Sequence, residues 1–462
     1  MAGGTWTSQN KVRPGVYINF TSQQDFGLSI GDRGVVAICE PMSWGPVGTI
    51  NQITAGMDTT PYCGYQLYEP GALFLHEIFK GTDRTNAPET ILLYRPAADS
   101  SVAATVTTGT LTATAAYPGA LGNNLTIIIT EDADSESTFT VETVYNGSIV
   151  DTQTGANISD LTNTNWITWS GSGALTATAG AALTGGADGT VQTAAYSDFL
   201  TALEPLKFDV LIYDGSDTTV MAAYQAFVDR LADSDGQYRQ LVAANITPPP
   251  DDRFVINVMT GATLSDGTQL TPQQVCWWAG GATAGAIYNE ALTYALYPNA
   301  VAVPNPLTNE ETIAALQAGQ FVLSQDDGQV KVEQDINSLT TFTTDISKVY
   351  RKNRIIRLCN TIANDLYREF SDNFIGVVNN NEEGRTLFKN AIVGYLLEIQ
   401  QGQGIQNFTA DDVEVLPGNE SDSIIVNLAI QTVDAVEKIY ICLLYTSPSP
   451  RDRTRSRMPS SA

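Results

Sequence analysis

The chain is short of positive charge and of the residues that do most chemistry. A single histidine occurs in 462 residues, and 24 Lys and Arg stand against 50 Asp and Glu. A formal net charge of −26 argues against wrapping a nucleic acid, because that binding draws most of its affinity from cations neutralising phosphates. Anionic membranes are disfavoured for the same reason. No apolar run approaches the ~20 residues that a spanning helix needs, so no membrane insertion is expected. The first residues, Met1-Ala2-Gly3-Gly4-Thr5-Trp6-Thr7, lack the basic region and apolar run of a signal peptide. Five cysteines at positions 39, 63, 276, 359 and 442 show no CxxC and no paired spacing. They give neither a disulfide framework nor a structural zinc site, and the chain reads as a reduced protein made inside a cell.

The scarcity of histidine also limits catalysis. His76 is the only imidazole available to a triad or a metal, and it sits in the apolar segment Ala72-Leu73-Phe74-Leu75-His76-Glu77-Ile78-Phe79. It reads as a packing or surface residue near a helix C-terminus. Gly280-Gly281-Ala282-Thr283-Ala284-Gly285 lacks the Lys-Ser/Thr end of a phosphate loop and the spacing of a dinucleotide fingerprint. Close helix packing is the simpler explanation. Asp132-Ala133-Asp134-Ser135-Glu136 spaces its acids as a calcium loop does, but Ser137 and Thr143 stand where Gly and Glu belong. Trp166 and Trp169 read as core aromatics ahead of a sugar platform. No catalytic residue, cofactor or metal is expected.

Composition divides what is present. Between Arg95 and Lys207 there is no cation, while eleven acids occur, and short alternating runs are separated by Tyr117-Pro118-Gly119, Asn146-Gly147 and Gly171-Ser172-Gly173. This predicts an antiparallel β domain over 97–188. Beyond it helices alternate with buried strands: Tyr196–Leu206, Phe208–Tyr213, Val220–Ala232, Leu241–Ala244 and Phe254–Val258. Thr271-Pro272 and the capping box Thr308-Asn309-Glu310-Glu311 open two further helices. A hairpin is expected over 319–342. It is followed by a long helix over 348–372 with Tyr350, Ile355, Leu358, Ile362, Leu366 and Phe370 on one stripe.

Arg351, Lys352, Arg354 and Arg357 crowd the start of that helix, against both the macrodipole and the global charge. They mark either an acidic partner surface, such as a neighbouring copy, or a solvated face. Val16-Tyr17-Ile18-Asn19-Phe20 near the start and Lys438-Ile439-Tyr440-Ile441 near the end read as strands that pair at home or add to another subunit's sheet. From Cys442 to Ala462 the composition changes abruptly. Four Arg against one Asp give +3, so the first 441 residues carry −29. This stretch reads as a basic arm or as translated adapter read-through.

The run Asp335-Ile336-Asn337-Ser338-Leu339-Thr340-Thr341-Phe342-Thr343 with Arg351-Lys352-Asn353-Arg354-Ile355-Ile356-Arg357 resembles the C-terminal domain of contractile phage tail sheath proteins. Asn379-Asn380-Asn381-Glu382-Glu383-Gly384-Arg385, Gln406-Asn407-Phe408 and Val433-Asp434-Ala435-Val436-Glu437-Lys438-Ile439-Tyr440 extend the resemblance. Arg13-Pro14-Gly15-Val16-Tyr17, Tyr117-Pro118-Gly119-Ala120-Leu121 and Trp278-Ala279-Gly280-Gly281-Ala282 are similar to upstream parts of the same family. The likeness reaches Firmicute-type myophage sheaths and phage tail-like bacteriocins.

The resemblance implies a structural subunit with no enzymatic activity. It would polymerise with itself as a helix of hexameric rings around an inner tail tube protein, with baseplate and tail terminator proteins at its ends, and contract to drive the tube through a host envelope. Assembly in the host bacterial cytoplasm and residence in the virion tail follow, as does the absence of direct nucleic-acid binding. The inter-subunit arms would be Val16, Tyr17, Ile18 and Phe20 at one end and Ile439, Tyr440 and Ile441 at the other. Arg351, Lys352, Arg354 and Arg357 would be subunit or tube contacts. The implied fold is α+β or α/β and multidomain: a mixed-sheet core with helices, interrupted by an inserted antiparallel β domain, with strand arms at both ends. Its parts are an arm over 1–22, core over 23–96, an outward-facing β domain over 97–188, core over 189–318, a C-terminal sheath domain over 319–441 and a non-native tail over 442–462. Because the resemblance expects the last strand to continue past Tyr440, the chain as written is expected to assemble poorly and one with a restored strand to form tubes. A headless bacteriocin or injection-system sheath is one alternative. A β-rich glycan-binding or glycan-processing protein is another.

Overall fold

The computed structural model describes residues 29–132 and 137–442, together with the backbone of residues 2–4 and 15–17. Ile18, Phe20, part of the acidic 132–136 turn and the 443–462 tail lie outside the described residues.

The most apolar strands of the chain meet in one seven-stranded sheet. Its order is Gln320–Phe321, Val255–Val258, Gln240–Ala244, Val210–Ile212, Val35–Cys39, Thr90–Tyr94 and Ile50–Thr54. Neighbours are parallel except Ile50–Thr54, which closes one edge antiparallel to Thr90–Tyr94. Parallel strands need crossovers that bury both faces, which explains the unbroken apolar runs in the sequence. Val36, Ile38, Val210 and Ile212 turn to one face, with helices Leu73–Ile78 and Pro272–Gly285. Ala37, Cys39 and Leu211 turn to the other, with helices Thr193–Leu203 and Thr218–Asp233.

The glycines of the 272–285 helix let it lie close to neighbouring backbone. A Cβ at Gly281 would overlap the Ile78 carbonyl, and one at Gly285 that of Asn86. Trp278 on the same helix stacks on Tyr297 with ring centroids 4.0 Å apart and donates to the Gly81 carbonyl at 2.8 Å.

Between Thr90–Tyr94 and the 193–203 helix, the chain forms a short antiparallel pair of Ala98–Asp99 with Thr190–Val191 and two larger antiparallel sheets. One orders Ser148–Gly155, Phe139–Tyr145, Leu125–Glu131 and Thr178–Ala182, the other Ile167–Gly171, Leu111–Ala115 and Thr105–Thr108. Alternation turns Leu125, Ile127, Ile129 and Leu111, Ala113, Ala115 into a shared core with Trp166 and Trp169. Trp44, from the other side of the junction, stacks on Trp166 at 5.3 Å. Arg95 donates to the carbonyls of Gly45 and Pro118 at 2.8 and 2.6 Å, and Asp188 accepts from Ser43 and Ala120 at 2.9 and 2.7 Å. These bonds hold the two parts together at the neck.

Helices Asn353–Asn373 and Glu382–Gln401 pack on each other with the antiparallel hairpin Val413–Pro417 and Ile424–Leu428. Leu358, Ile362, Leu366 and Phe370 form the stripe expected of them. The long helix nevertheless starts later than its periodicity suggests. Lys348–Arg351 is a 3-10 turn, and Lys352 is extended. The reason is tertiary: Asn337 N–H donates to the Arg351 carbonyl and Asn353 N–H to that of Asp335, so a neighbouring segment claims this backbone. Tyr350 therefore leaves the stripe and packs beneath the central sheet. The two arms behave differently. Gly15–Tyr17 pairs in parallel with Ala2–Gly4, whereas 438–441 belongs to no strand among the described residues.

Candidate assembly surfaces

The four clustered cations turn inward. Arg357 has no exposed side-chain surface, donates to the Asp335 carboxylate at 2.6 Å and to the Glu290 carbonyl at 2.8 Å. Asp335, itself 2% exposed, also accepts from Asn353 at 2.9 Å and from the Leu292 amide at 3.0 Å. Arg354 is buried and reaches the Gln403 carbonyl at 3.3 Å. Burial lowers the pKa of Arg354 and Arg351, since a charge is costly away from water. This corrects the reading of Arg354 and Arg357 as an outward partner face or a solvated one. They are internal ties, Arg357 to the Asp335 carboxylate and Arg354 to a backbone carbonyl.

Lys352 serves a different end. Its ammonium pairs with Glu437, whose carboxylate also accepts from Thr293 at 2.9 Å and Gln334 at 2.6 Å. Just upstream, Gln431–Thr432 pairs with Ile405–Gln406, and Val433 N–H donates to the Gly404 carbonyl. The C-terminal segment is thus fastened as far as Glu437 and then released. Ile439, Tyr440 and Ile441 are 75%, 90% and 77% exposed. Three large apolar side chains in a row facing water are rare in a finished surface and mark a site of association.

A sheet able to accept such a segment lies in the same domain. Val413–Pro417 and Ile424–Leu428 pair only with each other among the described residues, leaving an open edge on each side. Val413 and Leu428 pack inward, while Leu416, Ile425 and Val426 remain exposed. An isolated two-stranded sheet is marginal in water and gains from added strands. Glu437 and Asp335 were not singled out as anchors from sequence. The available signal was an acid beside the apolar residues Val436, Ile439 and Ile441, but the Lys352 partner of Glu437 is 85 positions away.

The described residues thus combine a two-stranded sheet with open edges and an exposed apolar C-terminal segment. Three family models match this one: the phage tail sheath protein beta-sandwich domain at residues 98–188, the central domain at 189–338 and the C-terminal domain at 345–443. The chain is 40% identical to the sheath tail protein of Desulfitobacterium hafniense, whose crystal structure it matches with a TM-score of 0.83 over 92% of this chain and 99% of that one. It is 35% identical to YqbK of Bacillus subtilis strain 168, over 95% of this chain and 99% of the relative. The helical sheath of the anti-feeding prophage in its contracted state, at 14% identity, shares the fold with a TM-score of 0.56 over 94% and 99%. The chain belongs to the contractile phage tail sheath family. It is a tail sheath subunit of mixed α/β, multidomain fold, from a family of structural proteins rather than enzymes.

Proposed function

We propose that the subunit polymerises as a helix of hexameric rings around an inner tail tube, and that contraction of this polymer drives the tube through a host envelope. The exposed segment Ile439–Ile441, released immediately after the Glu437 anchor, carries this reading. In an assembled sheath it adds as a strand to the hairpin 413–428 of a neighbouring copy, and the Gly15–Tyr17 region, with Ile18 and Phe20 beyond it, contributes the second arm. Backbone pairing of this kind tolerates large rotations between subunits while keeping them linked, because the strand hydrogen bonds travel with the sheet. The β domain over 97–188 faces outward, and its lack of cations suits a solvated exterior. The 319–441 region faces the tube. Baseplate and terminator proteins bound the polymer at its ends.

The test is electron microscopy and sedimentation of the chain with its last strand restored past Tyr440, beside the same chain carrying Ile439→Asp and Ile441→Asp. Two buried charges in an added strand are expected to abolish tubes and sedimenting polymer. Equal, abundant tubes from both proteins would sink the arm assignment, and a discrete monomer of the restored chain that binds or cleaves a polysaccharide would sink the sheath reading itself. A micrograph of particles from producing cells separates a phage, with a DNA-filled head, from a headless contractile tail.

A further inference from the structure

Away from the arms, a pocket of about 250 Å³ opens where the N-terminal ends of strands 35–39 and 210–212 meet the 353–373 helix. Arg33, Arg239 and Thr361 line it, with side chains or residues 6%, 6% and 4% exposed. Arg33 places Nη1 3.5 Å from Asp209, but its Nε and Nη2 are buried with no acceptor among the described residues. Arg239 satisfies Nη1 on the Tyr238 carbonyl and Nη2 on Gln237, each at 3.1 Å, and leaves Nε unpartnered. The Thr361 hydroxyl is buried and unpartnered in the same way. Burial lowers the pKa of both arginines, that of Arg239 to about 10, which is the expected response of a guanidinium short of a counter-charge.

Four acids also line this pocket, and their positions decide what it can hold. The inner two are already committed. Asp209 accepts from the amides of Gly34 and Val35 at 2.9 and 3.1 Å, while Asp365 accepts from the Gly31 amide at 3.0 Å and from Tyr395 at 2.8 Å and pairs with Arg368 at 3.1 Å. The outer two, Asp32 and Asp372, are exposed on the rim. Among the described residues the unmet groups at depth are therefore guanidinium N–H donors and one hydroxyl that can donate. Buried donors without an acceptor are costly, and guanidinium N–H groups match an oxyanion in geometry and charge. We propose that this pocket binds a small oxyanion, a phosphate or a carboxylate, held by Arg33, Arg239 and Thr361 between the central sheet and the long helix. The rim acids oppose entry, so millimolar affinity suits the site better than tight binding.

The experiment uses the full chain in sodium phosphate against sodium chloride of equal ionic strength, with the non-sedimenting subunit followed by thermal unfolding. Near-saturating phosphate is expected to raise the Tm by roughly 2–4 °C. At least half of that rise should be lost in Arg239→Gln and in Thr361→Val, the latter keeping the side chain's shape should the former fold poorly. That result assigns a free anion. If phosphate instead lowers the sedimenting fraction, with the same dependence on both variants, the oxyanion is a carboxylate from a second copy. No phosphate effect on either measurement, or an effect unchanged in both variants, overturns the proposal.

Discussion

The central sheet and the 413–428 hairpin begin from the same backbone chemistry and end in opposite states. In the central sheet the chain supplies every neighbour from its own crossovers and covers both faces with its own helices. In the hairpin it supplies only two strands among the described residues, and further along the chain an apolar segment is left in water. The first sheet is closed off by its own chain, whereas the second leaves edges to which the proposed strand addition would apply. Between the two lies the Asp335–Arg357 and Lys352–Glu437 network, which fastens the long helix and the base of the arm to the rigid part.

The sharpest way to break that contrast is at the tie itself. Arg357→Met leaves Asp335 enclosed without its cation and is expected to cost about 3–5 kcal/mol, read from the denaturant midpoint. A loss below about 1 kcal/mol would mean that the pair is not what fastens the helix. Next comes the seal of helix on sheet. Gly281→Ala forces a methyl against the Ile78 carbonyl and should cost about 1–3 kcal/mol by the same measurement. A neutral result would show that the helix can back away freely.

A smaller effect is expected on the opposite face of the sheet and depends on pH. Burial, with Asp252 and then Asp233 nearby, raises the Asp229 carboxyl to about 7. An acid whose folded pKa lies above its unfolded value of about 3.9 binds its proton more tightly when folded. Its contribution is thus complete at low pH and is lost as pH rises through about 7. Asp229→Asn, which keeps the neutral form, should gain stability relative to wild type between pH 5 and pH 8. Urea midpoints that differ equally at both pH values would refute this coupling. Smallest is the effect of Ile439→Asp on the isolated subunit, within about 0.5 kcal/mol because the side chain is exposed. The same substitution in the chain with its last strand restored should still impair polymer formation, and a large loss of subunit stability would show that the arm packs at home.

Much of the fold was legible where the determinants are local. Thr271 accepts from the Gln274 amide at 3.3 Å while Gln274 caps Thr271 in return, and Thr308 with Glu311 does the same. Both capping boxes join residues three apart, so spacing alone reveals them. Trp166 and Trp169 lie in the core for an equally simple reason, the alternation of a half-buried sheet. The start of the long helix was not legible. Its stripe of apolar residues is helical in period up to Tyr350, and only the strand-like segment at 335–337 interrupts it.

By itself the sequence determined most of the elements, the composition boundary near residue 97, the apolar character of the arm and the family likeness, because these are carried by local spacing and composition. The roles of the cations depended on tertiary structure. Arg357 and Asp335 are 22 positions apart, and Lys352 and Glu437 are 85 apart. Charge density along the chain cannot show which acid will fold back to meet a cation. Coulombic pairing depends on distance in space and on exclusion of water, and only the packed structure sets those two quantities.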